Sequence, residues 1–209
     1  MTAPAGRLSY GDQGGLDFGS GAGPGRPGHV IRLHPTTRER HLDLLQWGLL
    51  PHATENPDSA LRPIHARAET VAEHPLFADA FRRRRAIVPA AEYYEEQTIG
   101  ETGERYAISR CDGQPMAIAG LWEGFRYKNG EILRTYCIIT IEAAGAVAEI
   151  HVRMPLVLDE ADWAVWLGEV PGDPAALLRA SADDVLVLRP MRRRSLARPT
   201  APRRKTARV

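Results

Sequence analysis

Residues 116–141 read MAIAGLWEGFRYKNGEILRTYCIITI. Met116–Phe125 and Thr135–Ile141 are apolar, strand-forming runs, and Asn129-Gly130 lies between them. Asn-Gly suits a hairpin turn whose central residues need positive φ, so this stretch predicts two antiparallel strands. Further strand-like runs are His41–Leu50, Ala86–Tyr94, Arg105–Arg110, Met154–Leu158 and Val185–Leu188, with Asp112-Gly113 as a second hairpin turn. Helical readings fall between them. Over Glu69–Arg85, Val71, Phe77, Ala80 and Phe81 share a face and Arg82–Arg85 fill the last turn, while Pro75 offers a later start. Ala143–Ile150 reads as a short helix, and so does a segment opened by Asp159, carrying Trp163, Trp166 and Leu167, and closed near Gly168. Asp173-Pro174 opens another. Strands linked by hairpins, with helices set apart and no βαβ alternation, predict an α+β fold on a mainly antiparallel sheet.

The length of 209 residues suits one domain with a ragged end on each side. Residues 1–29 hold nine glycines with Pro4, Pro24 and Pro27, and read as a loop segment; the domain proper is expected over 30–190, and 191–209 as a basic tail without fixed structure. No stretch approaches the roughly 20 apolar residues that span a bilayer, and the first residues lack the apolar core of a signal peptide, so a cytoplasmic chain without a membrane partner is expected. Cys111 and Cys137 are read as small packed hydrophobes rather than a disulfide.

The net charge of +1 conceals an asymmetry. Residues 189–209 carry nine of the 27 basic residues and no acid, which leaves 18 basic against all 26 acidic residues elsewhere, a balance of −8. Such a tail suits nucleic-acid phosphates, and equally a solvated end without a specific partner.

The glycines near the N-terminus lack the flanking strand and helix of a phosphate loop, and CxxC, HExxH and GxSxG patterns are absent, so no cofactor and no metal are expected. Polar residues at the ends of apolar runs remain: His65 after Pro63, Glu95 and Glu96 after AIVPAAEYY, and His151 after Glu149-Ile150. A His beside a carboxylate at a sheet rim is an acid–base pair, and the same residues also suit plain surface positions. Trp47 and Trp122 suit either core packing or base stacking.

Taken together, the motifs resemble the SOS response-associated peptidase (SRAP) family. WGLLP (Trp47–Pro51) resembles W-G-L-I-P, IHARAET (Ile64–Thr70) is similar to I-N-A-R-A-E-T, and FADAFRRRRAIVP (Phe77–Pro89) resembles F-x-D-A-F…R-R-C-L-I-P. AEYYEE (Ala91–Glu96) is similar to D-G-F-Y-E-W, DGQPMAIAGLWE (Asp112–Glu123) to D-G-Q-P-x-A-F-A-G-L-W-E, and IHVRMPLVL (Ile150–Leu158) to I-H-D-R-M-P-V-V-L. The resemblance implies a barrel-like β core with flanking helices. It also implies a monomer acting on abasic sites in single-stranded DNA, nucleoid-associated when bound. Family chemistry is implied to use an N-terminal cysteine whose amine and thiol close a thiazolidine on the ring-opened sugar, the same cysteine cleaving away any residues ahead of it.

Carried over by motif, Glu95 and His151 stand at the proton-transfer positions, His65 at the family's Asn, Arg67 at a phosphate contact and Trp47, the Trp of W-G, at a DNA contact. No cysteine matches the M-C-G-R opening; its nearest likeness, Ala5-Gly6-Arg7, puts Ala5 at that position. An internal cysteine has no α-amine beside its thiol. With Met1 removed, Thr2 would offer an amine that forms a reversible imine without a lasting crosslink. Three readings stay open: an abasic-site processor, a pseudoenzyme that binds DNA, and a scaffold reused for protein interaction.

Overall fold

The computed structural model describes residues 7–9, 23–99, 102–181 and 185–191. In chain order the elements are β1 (Arg7–Ser9), β2 (Pro27–Leu33), β3 (Arg40–Trp47), β4 (Leu61–Pro63), β5 (His65–Arg67), α1 (Ala78–Arg83) and β6 (Arg85–Ala90). There follow β7 (Glu92–Ile99), β8 (Thr102–Arg110), β9 (Met116–Arg126), β10 (Ile132–Glu142), β11 (Arg153–Pro155), α2 (Trp163–Leu167) and β12 (Leu186–Met191).

The expected hairpin is the seam of the fold. β9 and β10 pair antiparallel from Ile132↔Arg126 to Ile138↔Gly120, with Gly130 at φ 88° in the turn. The order β10-β3-β2-β6-β9 then returns to β10, closing a five-stranded barrel. Closure removes the sheet's open edges and buries alternate side chains in one core, where Val30, Leu45, Trp47, Ile118, Leu121 and Ile138 have no accessible surface. Tyr136 of β10 stacks on Trp47 of β3 with ring centroids 6.0 Å apart, and a Cβ at Gly28 of β2 would run into the Tyr136 hydroxyl. Only glycine leaves room there.

β10 continues past the seam, and this builds the working end of the barrel. Its residues Ile138–Thr140 pair parallel with β5, and Thr140–Glu142 pair antiparallel with β11. A second sheet, ordered β12-β8-β7, is hydrogen-bonded separately and sends Tyr93, Ile108 and Leu186 into the same core, and β1 pairs parallel with β4.

The α+β class and the barrel-like core stand as expected, with parallel pairs of β3 and β5 on β10 added to the antiparallel ones. Several element readings need correction. Ala86–Tyr94 is not one strand: it breaks at Ala91, where β6 leaves the barrel and β7 joins the other sheet. Asp112-Gly113 therefore links two sheets rather than closing a hairpin. The helix expected over Glu69–Arg85 shrinks to the six residues of α1, preceded by turns closed by His74 N–H to the Thr70 carbonyl and Ala78 N–H to the His74 carbonyl. Pro75 lacks an N–H and disfavours a helical His74, which is why the earlier residues do not wind into it. Arg85 donates to the carbonyls of Phe81 (2.6 Å) and Arg82 (2.9 Å), covering acceptors the helix end leaves open.

Ala143–Ile150 is a 3-10 turn over Gly145–Glu149, and Pro174–Leu177 is another, capped by Asp173 accepting from the Ala175 N–H at 2.9 Å. The Asp159 side chain makes no cap bond, and Gly168 ends α2 at φ 80°. Within the stretch expected as loop, Arg7–Ser9 form β1 and Pro27–His29 already belong to β2. The tail from residue 192 onward lies outside the described residues. Cys137 is buried and free, as read, whereas Cys111 is exposed in the turn after β8 and packs against no core.

Candidate active site at the β10 end of the barrel

Three polar side chains from separate parts of the chain meet beyond the last barrel turn of β10. His65 opens β5 and is placed by pairing with Ile138. Glu95 projects from the middle of β7, opposite Tyr106 of β8. His151 follows the 3-10 turn Gly145–Glu149, and its backbone N–H closes that turn onto the Val147 carbonyl at 3.0 Å.

Glu95 is buried, and burial pushes its carboxyl up to about 8, so the acid keeps its proton at neutral pH. Its Oε1 lies 3.8 Å from His151 Nδ1. That nitrogen lies 2.7 Å from the Arg153 carbonyl and 3.2 Å from the Arg153 N–H, and the shorter contact favours Nδ1–H donating to the carbonyl. In that tautomer Nε2 keeps its lone pair for a substrate proton. The pair thus sets a protonated acid beside an imidazole whose free nitrogen is Nε2, the arrangement that lets one site run both halves of a proton transfer.

Burial, with His151 and Arg153 close by, lowers His65 to about 4, so its imidazole stays neutral. Its buried Nε2 has no hydrogen-bond partner among the described residues. Like an amide, a neutral imidazole donates at one atom and accepts at another. The His65 ring meets Trp47 edge-on, with centroids 6.3 Å apart.

Sequence reasoning misses Arg153, although it stands two positions after His151. Its Nη1 and Nη2 grip both oxygens of Glu69, at 2.6 and 2.9 Å, and Nη2 also donates to the Thr140 carbonyl at 2.7 Å. This clamp ties the turn after β5, β10 and the His151 segment together, and Arg153 holds the Glu69 carboxyl below the usual range. Its neighbour on β5, Arg67, is exposed and within reach of an incoming anion.

Trp47 is wholly buried, with Nε1–H donating to the Ile64 carbonyl at 3.0 Å, so it presents no face to a base; it packs behind His65. Trp122 is covered by Arg32, whose Cζ lies 4.2 Å over the ring. Thr2 and Ala5 lie outside the described residues.

A second polar cluster sits farther back on the barrel, where His52, Asp79 and Glu123 bring donor atoms within 4.8 Å of one another. Arg84 Nη2 fills its centre, donating to Glu123 Oε1 at 2.8 Å and to Asp79, and lying 3.2 Å from His52 Nδ1. The guanidinium stands where a cation would sit, so the cluster reads as a closed ion network.

Comparison with known proteins adds an independent finding. The profile described as SOS response associated peptidase (SRAP) matches residues 20–194. The abasic site processing protein YobE of Bacillus subtilis is 34% identical over 162 residues, covering 75% of this chain and 74% of that protein. The abasic site processing protein YedK of Escherichia coli is 30% identical over 153 residues, covering 73% and 67%. A crystal structure from Bordetella bronchiseptica superposes with a TM-score of 0.70 at 25% identity, over 90% of this chain and 92% of that one.

Proposed function

The chain belongs to the SOS response-associated peptidase (SRAP) family, and we propose that it processes abasic sites in single-stranded DNA through imine chemistry driven by Glu95 and His151. The observation that carries this reading is the pair itself: a buried carboxyl raised to about 8 beside an imidazole whose Nδ1 is turned to a backbone carbonyl. The relatives at 30% identity and above are named for abasic-site processing, which supplies the substrate class.

An amine attacks the aldehyde of the ring-opened sugar to give a carbinolamine. Glu95 donates its proton to the departing hydroxyl, water leaves, and the iminium forms. His151 Nε2 then removes a proton from the neighbouring sugar carbon, and the 3′ phosphate departs by elimination; water hydrolyses the imine and returns the amine. His65 holds a sugar hydroxyl or the amine as a neutral hydrogen-bonding group, and Arg67 contacts a phosphate. In the sequence as given, the amine exposed by loss of Met1 is that of Thr2.

Cys137 takes no part, because burial drives its thiol far above its usual range, and neither cysteine has an α-amine next to its thiol. An amine with no thiol beside it gives a reversible imine rather than a thiazolidine. Glu95, His65 and His151 are brought together within one chain, so the proposed chemistry calls for no residue from a second copy. No helix among the described residues is long and apolar enough to cross a membrane, and the proposed DNA substrate supports nucleoid association while the protein is bound.

Borohydride trapping on an abasic oligonucleotide tests the reading. A covalent adduct that depends on borohydride, and weakens in Glu95→Gln and His151→Ala, is expected. A stable adduct without borohydride would mean that a thiol does act, and no adduct of either kind would leave a DNA binder without chemistry.

A further inference from the structure

Tyr93 stands two residues before Glu95 on β7, so both side chains project to the same side of the strand, and both are buried. The Tyr93 ring belongs to the core, together with Ile108, its partner across β8. Its hydroxyl is sealed from solvent and has no hydrogen-bond partner among the described residues. A buried hydroxyl without a partner costs stability, and a bare phenyl ring fills the same place without that cost. The motif D-G-F-Y-E-W, set against Ala91–Glu96, carries phenylalanine at this position. Packing therefore gives no reason for the oxygen.

The chemistry of Glu95 gives one. In the proposed reaction its O–H bond breaks, the proton passes to the departing hydroxyl, and the electron pair stays behind on a buried carboxylate. Such a charge calls for hydrogen-bond donors. Its neighbours on the same face of the sheet are in use: the Tyr106 hydroxyl donates to Glu104 at 2.9 Å, and Gln97 Nε2 donates to the Glu149 carbonyl at 2.8 Å. So is His151, whose Nδ1 is turned to the Arg153 carbonyl, and Arg153 is bound to Glu69 and Thr140. Tyr93 is left on that face. Positions two apart on a strand are separated by about 6–7 Å, a gap that a tilt of the carboxyl toward the longer tyrosine side chain closes. Burial, with Glu95 close by, pushes the Tyr93 hydroxyl far above its ordinary range, so it keeps its proton and acts as a donor alone.

We propose that Tyr93 is a positioning residue, whose hydroxyl donates to the Glu95 carboxylate once the acid has given up its proton. This role rests on the proposed function and adds to it the group that stabilises the spent acid until it is reloaded.

The test is Tyr93→Phe, which removes only the hydroxyl oxygen. Glu95 is titrated directly by carbon-13 NMR on protein labelled at the glutamate side-chain carboxyls, its signal assigned by its loss in Glu95→Gln. The parent midpoint lies near 8, and that of Tyr93→Phe should lie about one pH unit higher, because the carboxylate has lost a donor. Borohydride trapping on an abasic oligonucleotide should slow several-fold at neutral pH, with its alkaline limb displaced upward by the same amount. The melting temperature at about pH 6 should hold or rise, since the carboxyl is neutral there and an unpaired hydroxyl has gone. A Glu95 midpoint that does not move overturns the proposal, whatever happens to the rate. A fall in melting temperature alongside it would assign the hydroxyl to the fold. A parent that traps no adduct removes the proposed function, while the Glu95 titration still decides whether Tyr93 donates to the carboxylate.

Discussion

Glu95 Oε1 and His151 Nδ1 lie 3.8 Å apart, too far for a hydrogen bond, while the same imidazole nitrogen approaches the Arg153 carbonyl to 2.7 Å. The imidazole is thus oriented by the backbone and the carboxyl by burial. Burial keeps the carboxyl protonated at neutral pH without a contact to the imidazole.

The rate of borohydride-trappable adduct formation follows from this. With Glu95 raised to about 8, the acid form prevails at neutral pH and is lost above it, so the rate should fall on the alkaline side with a midpoint near 8. Glu95→Gln should slow trapping by about 100-fold and abolish that limb. A limb that persists in the variant would assign it to another group. Stability moves in the opposite sense. The unfolded chain ionises Glu95 near its ordinary value of 4.5 while the folded chain keeps the proton up to about 8. Stability therefore declines as pH rises through this window, by several kcal/mol at about 1.4 kcal/mol per pKa unit. Relative to the parent, Glu95→Gln should melt progressively higher as pH rises from about 5 to about 8.

His65 works the acid side. Its folded value of about 4 lies below the ordinary 6.5, so the unfolded chain takes up a proton that the folded chain refuses, and stability is lost as pH falls through that interval. His65→Asn removes the titrating group and keeps a neutral hydrogen-bonding side chain. Thermal melts should show the variant losing less stability than the parent on acidification, with a difference of roughly 3 kcal/mol at the acid end. Identical acid profiles would mean that His65 is solvated in the folded chain.

Arg153 is predicted to position His151 through the clamp on Glu69 and Thr140. Arg153→Met keeps much of the aliphatic stem and removes the charged hydrogen bonds, which should cost about 1–3 kcal/mol of stability. Trapping should slow at least about tenfold, because His151 loses its orientation rather than its basicity. Glu69→Gln should reproduce part of both effects, and normal trapping in both variants would free His151 from the clamp.

The β9–β10 hairpin is legible in the sequence because two long apolar runs flank an Asn-Gly turn, and that hairpin closes the barrel. The break at Ala91 is not, since AIVPAAEYY is continuously strand-like and periodicity carries no sign of a change of sheet. The 69–85 segment misleads for the converse reason: its apolar spacing is helical, and Val71, Phe77, Ala80 and Phe81 are all buried, yet turns reach the same burial around Pro75. At the site, Glu95 and His151 stand out only by motif, because their partnership spans 56 positions of sequence. Arg153 carries no such signal, because its role comes from Glu69 and Thr140, which only the fold brings to it.

Trp47 and Arg67 both read from the sequence as DNA contacts, and their opposite burial predicts that mutation will separate them. Trp47→Phe keeps a ring in the core but removes the indole hydrogen bond to the Ile64 carbonyl, which retains the Ile138 N–H at 3.1 Å, at a cost of about 0.5–1.5 kcal/mol. The melting temperature should drop, while the folded protein binds an abasic single strand as before. Arg67→Ala removes an exposed cation, so the melting temperature should hold and the loss should appear in binding. That loss should be several-fold at low salt, with the salt slope reduced by about 0.7. Anisotropy titrations paired with thermal melts read both quantities on the same samples. A loss of affinity in Trp47→Phe at unchanged stability would show that the indole reaches the strand, and would require the barrel end to open around it on binding.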